Sequence, residues 1–183
     1  MKKSSFLALE FLALTTSYAK AQSFDVGTNV ISAGIGLGSG LNGYDYNSST
    51  PGFSIQYDRG IWEAGPGVIS LGGYLGFKDY KYSNSDFQQR WNYTIFGARG
   101  AYHYTGLDVE NLDVYGGVML SFNSLNYSYT YYNGIGYVGG GYNSGPGLSP
   151  FVGAKYYFAG NLAAYGELGF GVDILNIGLA YKF

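Results

Sequence analysis

The last nine residues read Leu175-Asn176-Ile177-Gly178-Leu179-Ala180-Tyr181-Lys182-Phe183. Large apolar or aromatic side chains fill every odd position; Asn, Gly, Ala and Lys fill every even one. A period of two belongs to a β-strand, whose successive side chains point to opposite faces. One face here is wholly apolar and the other polar or small, so the strand stands between two different environments.

Working outward from that segment, the same alternation recurs at 29–37, 52–58, 67–78, 92–105, 112–123, 149–158, 162–170 and 173–183. Phe53, Ile55 and Tyr57 alternate with Ser54, Gln56 and Asp58; Leu112, Val114, Val118, Leu120 and Phe122 alternate with Asp113, Tyr115, Gly117, Met119 and Ser121. The expectation is an all-β chain of eight antiparallel strands, closed as an up-and-down barrel. Residues 127–142, rich in Tyr, Gly and Asn, read as a loop or as a hairpin prolonging the fifth and sixth strands; ten strands result if that hairpin inserts.

The direction of the faces decides the solvent. Eight strands enclose a lumen just wide enough for side chains. The polar face, with many Gly, Ser and Ala and a few long residues, can fill that space; eight faces of Leu, Ile, Phe and Tyr cannot. The apolar face therefore points outward, as in a transmembrane β-barrel. The charges agree: Arg99, Lys155 and Glu167 fall on the polar parity in mid-strand, and a mid-depth Arg or Lys facing lipid costs about 2–4 kcal/mol. Arg99, Lys155, Glu167, Asp113 and Gln56 form an expected polar network in the lumen, with Tyr74, Tyr115 and Tyr165 helping to plug it. A short turn at 159–161 places Lys155 diagonal to Glu167 and within cross-strand reach. Tyr57, Phe77, Tyr102, Tyr104, Phe122, Tyr156, Phe158, Tyr181 and Phe183 lie near strand ends, as interfacial girdles do.

Composition fits this reading. Charged residues make up 12% and aromatics 19%, against about 25% charged in a soluble domain, yet the mean hydropathy is only −0.03. The absence of cysteine excludes disulfide scaffolds, thiolate metal sites and a lipid-anchored cysteine. No basic surface for nucleic acid is present. Lys2 and Lys3, the apolar run Phe6 to Leu14 interrupted by Glu10, and Ala19-Lys20-Ala21 match a signal peptide over 1–21, with a barrel domain over 22–183. Connections at 38–51, 79–91 and 124–148 are long and polar; those at 59–66, 106–111 and 159–161 are shorter. Long loops belong outside the cell and short turns in the periplasm, which makes both termini periplasmic.

The terminal segment, with central Gly178, Tyr181 two before the end and final Phe183, is similar to the C-terminal insertion signal of bacterial outer-membrane proteins. With the strand pattern, the chain resembles the small OmpX/OmpA-type outer-membrane β-barrels over nearly all of 22–183. The resemblance implies a bacterial outer-membrane location, lipid and lipopolysaccharide as surroundings, the barrel-assembly machinery as a partner of the last strand, and a monomer.

No catalytic, cofactor or metal residue is assigned. His103 is the single histidine, on the inward parity, with no readable triad. Gly38 to Gly43 fits G-x-G-x-x-G, but a polar loop follows instead of a helix. Asp45, Asp79 and Asp86 read as solvated loop carboxylates rather than a Ca²⁺ site. The expected role is non-enzymatic: structural, or surface contact with an unidentified partner through Tyr-rich extracellular loops. A narrow pore for small solutes is the alternative, and a lipid-modifying enzyme the third reading.

Overall fold

A computed structural model describes residues 24–38, 48–83, 87–107, 109–131, 137–141 and 144–183. The expected signal peptide, Asp45, Asp86 and the motif beyond Gly38 lie outside them. The strands are β1 (Asn29–Leu37), β2 (Ser48–Ser49), β3 (Gly52–Glu63), β4 (Gly67–Ser83), β5 (Phe87–Tyr104), β6 (Leu112–Tyr131), β7 (Tyr137–Gly141), β8 (Gly145–Ala159), β9 (Leu162–Gly169) and β10 (Leu175–Lys182). Eight of them form a closed antiparallel barrel in the order β1-β3-β4-β5-β6-β8-β9-β10, with β10 returning to β1. The short β2 and β7 add to the sides of β4 and β6. Within the barrel, closure leaves the eight strands no free edge.

The alternation read from sequence becomes burial. In β3 every second residue from Gly52 to Gly60 is buried and the intervening ones are exposed. The faces are inverted relative to a soluble barrel. Leu71, Phe96, Leu120 and Leu179 are more than half exposed on the outer wall, whereas Arg99, His103, Lys155, Asp58 and Asp113 are at most 2% exposed inside. The inner glycines make room for the large residues opposite them. A Cβ on Gly34 would lie 2.1 Å from the Tyr165 hydroxyl, and one on Gly153 would lie 2.6 Å from the Tyr115 ring. Small and large residues thus interlock across the lumen.

The start of β1, the end of β10 and the short turns share one end of the barrel. At Ala159–Leu162 a two-residue hairpin places Gly160 at φ 56°, a backbone that a residue with a Cβ rarely adopts. At the other end the expected boundaries change. Strands β4, β5 and β6 run in continuous register past 78, 92 and 123, to Ser83, from Phe87 and to Tyr131. The expected loop at 79–91 is therefore largely strand, and in 124–148 the strand-extension alternative for 127–142 holds over its described residues. Polar outward residues in these stretches, such as Asn92, Asn126 and Ser128, read as loop; their inward-facing chain neighbours Trp91, Tyr127 and Tyr129 carry strong β-propensity.

Candidate functional site

The lumen is filled in three levels. At the terminal end Phe24, just before β1, turns into the mouth and is fully buried. Its ring stacks on His103 at 3.6 Å between centroids and 4° between planes. His103 Nδ1 lies 2.8 Å from Asp113 Oδ1, and Nε2 lies 3.0 Å from Ser70 Oγ. The serine, histidine and aspartate come from β4, β5 and β6, three neighbouring strands, so register alone brings them together. Sequence reading left His103 without partners because Ser70 and Asp113 are far from each other along the chain. The arrangement has the hydrogen-bond order of a hydrolytic triad. All three residues are enclosed, however, with Ser70 and His103 fully buried beneath Phe24.

At mid-barrel Arg99 joins carboxylates from β3 and β9. Its Nε lies 3.1 Å from Asp58 Oδ1 and its Nη2 2.7 Å from Glu167 Oε2. Glu167 also accepts from Gln56 Nε2 at 3.2 Å and from the Tyr115 hydroxyl at 3.0 Å. The guanidinium carbon sits 4.0 Å from the centre of the Phe151 ring. Lys155 stands between Asp58 and Asp113, at 3.7 and 3.8 Å, over the Tyr115 ring at 3.7 Å. Register places Lys155 diagonal to Glu167 as the turn predicts, but its ammonium pairs with Asp58 and Asp113 instead. Tyr165 lies directly opposite Lys155, and the fork of Arg99 takes both oxygens of Glu167, a bidentate geometry that an ammonium cannot match. Arg99, Lys155, Glu167, Asp113 and Gln56 all line this interior with Tyr115, and Asp58, Ser70 and His103 join them. Asp58 carried a signal in its inward parity on β3.

The opposite mouth is closed by the turn between β9 and β10. Val172 is fully buried there, and its N–H donates to the Tyr74 hydroxyl at 2.9 Å. Asp173 accepts from Lys78 and, at 3.1 Å, from the Gly52 N–H. Lys78 also donates to the Gly38 carbonyl at 2.6 Å. Burial pushes the Asp173 carboxyl above its ordinary range, with the Lys78 ammonium pulling the other way. Gly36 and Gly52 leave space for this carboxylate.

Beyond the mouth, β4, β5 and β6 form a projecting sheet. Its inner face is aromatic: Tyr80, Trp91 and Leu125 are buried together, with Tyr82, Tyr93 and Tyr127 packed against them. Phe87 stacks on Tyr129 at 5.0 Å. Its outer face is polar. The Asp79–Asn92–Asn126 row is followed by Lys81–Arg90–Ser128, then by Ser83–Gln88–Thr130. Each row faces away from the aromatic side by strand parity.

Ail, the attachment invasion locus protein of Yersinia pestis, solved in complex with the heparin analogue sucrose octasulfate, superimposes with a TM-score of 0.57 at 15% identity, covering 86% of this chain and 99% of that one. A second structure of Ail gives 0.52 at the same identity and coverage. The fold is that of a small outer-membrane β-barrel. No family model and no curated protein matches the sequence. The outer-membrane barrel fold therefore rests on topology, inverted faces and structural likeness together.

Proposed function

We propose that this chain is an integral protein of the bacterial outer membrane, non-enzymatic, whose sealed barrel carries a rigid aromatic sheet for contact outside the cell. The observation that carries this reading is the unbroken pairing of β4, β5 and β6 beyond the barrel mouth, with Tyr80, Trp91 and Leu125 packed on one side. A sheet held in register presents its surface with little ordering cost on binding. Ail, which shares the fold, is named for attachment and invasion, and a contact role here is in keeping with that. In this reading both termini face the periplasm, the strand extensions face outward, and β10 with Gly178, Tyr181 and Phe183 is what the assembly machinery pairs with.

The test compares cells displaying the intact chain with cells whose extensions, 80–91 and 126–144, are replaced by short turns. Adherence to protein-coated or glycan-coated surfaces should fall to background while the heat-dependent gel shift of a folded barrel persists. Equal adherence by both would contradict the contact role. Phe24, the Arg99 network and Val172 occupy three successive levels of the lumen, which argues against the pore reading. Steady single-channel conductance from the pure protein would reverse that argument. The burial of Ser70 and His103 argues likewise against a lipid-modifying enzyme, since a headgroup has no path to the hydroxyl.

A further inference from the structure

On the outer wall, Lys81 of β4 and Arg90 of β5 are directly paired across the strands. Like charges placed opposite each other weaken a sheet. No ion pair involving either residue is found among the described residues. Arg90 is exposed and Lys81 half-buried, both on the face away from Tyr80 and Trp91.

Their height is set by the strands. Phe77, opposite Thr94, is the last large apolar residue on the outer face of β4. Four residues of strand at a usual rise and tilt place Lys81 about 10 Å farther out along the membrane normal. That is the level of the headgroups and sugars just outside the hydrocarbon.

Below the pair, on the same strands, the wall is hollowed. A trough of about 600 Å³ lies among Ile55, Tyr57, Leu75, Phe96, Leu120 and Phe122. Register explains it. The Ile55–Leu75–Phe96–Phe122 row is bulky, whereas the next row inward has Gly73 and Ala98 between Tyr57 and Leu120. Gly73 precedes Lys81 by eight residues, about 20 Å along the normal by the same geometry. One leaflet of hydrocarbon is about 15 Å deep. The trough therefore lies at acyl-chain depth on the same strands as the cationic pair, displaced around the wall by the strand tilt, by about 17 Å.

We infer that the outer wall of β4 and β5 binds one phosphorylated glycolipid of the lipid A type, with an acyl chain in the trough and a phosphate on Lys81 and Arg90. The inference rests on the outer-membrane reading and adds to it a defined lipid site. Charge complementarity selects the occupant: a phosphate on both cations removes their mutual repulsion and gives each a charge-assisted hydrogen bond.

The test uses the full chain, refolded into phosphatidylcholine nanodiscs doped with bisphosphorylated lipid A, with its dephosphorylated form, or with phosphatidylglycerol. Lipid retained after detergent extraction is counted by native mass spectrometry. The wild type should retain bisphosphorylated lipid A about tenfold better than either comparison lipid, a modest factor because the cations are partly solvated. Lys81→Gln with Arg90→Gln should abolish the preference, and Ala98→Phe, which fills the trough, should lower retention of both lipid A forms. Equal retention by the charge-free variant, or phosphatidylglycerol held as well as lipid A, would overturn the site. The heat-dependent gel shift, read on the same samples, separates loss of the site from loss of the barrel.

Discussion

Arg99 on β5 reaches two strands that are not its neighbours, touching Asp58 on β3 and Glu167 on β9. Those contacts tie opposite walls of the barrel together, which backbone pairing cannot do. Removing the cation strands two buried carboxylates, so Arg99→Ala should cost roughly 3–5 kcal/mol of unfolding free energy. Urea unfolding in lipid vesicles measures it. The triple change Arg99→Met, Asp58→Asn and Glu167→Gln should recover most of that loss, because it leaves no unpaired charge. A triple variant as unstable as Arg99→Ala would show that the network acts through geometry rather than charge. Sequence parity assigned Arg99, Glu167 and Lys155 to the interior, but not their pairings. Partners across a lumen depend on shear and side-chain reach, which strand alternation does not encode.

At the scale of the element, β10 separates folding from recognition. Gly178 approaches β1 so closely that a Cβ there would lie 2.1 Å from the Ala33 carbonyl oxygen. Gly178→Val should therefore open the β1–β10 seam and abolish the heat-dependent gel shift even after refolding in vitro. Tyr181 and Phe183 point outward, 47% and 62% exposed. Tyr181→Ala with Phe183→Ala should refold in vitro within roughly 1–2 kcal/mol of the parent, since lipid-facing aromatics lose mainly interfacial contact. If the proposed pairing of this strand with the assembly machinery holds, the same variant should accumulate poorly in the outer membrane of cells; normal accumulation would remove Tyr181 and Phe183 from the signal. The strand cores were legible because alternation there is strict. The upper ends of β4 and β5 were not, because above the belt the outward residues turn polar and the segments look like loops; the extension of β6 was one of two readings open for 127–142. The aromatic inward residues Tyr80, Trp91 and Tyr127 were the missed signal.

For the whole molecule, the face that meets lipid decides the rest. Closure, strand number and the inverted faces were all readable from the chain. The plugs at either end were not. Phe24 and Val172 lie outside any strand, and nothing local marks a residue that folds back into a mouth. The Ser70–His103–Asp113 relay was hidden for a related reason, since its members meet only through register. The chain contains no cysteine, so single cysteines can be introduced one at a time along β6 from Asp113 to Phe122 and spin-labelled in bilayers. Collisions with oxygen dissolved in the lipid should alternate, high at Val114, Val118, Leu120 and Phe122 and low at Asp113, Tyr115, Met119 and Ser121. High values at the second set, or no period of two, would contradict a membrane barrel with a polar interior.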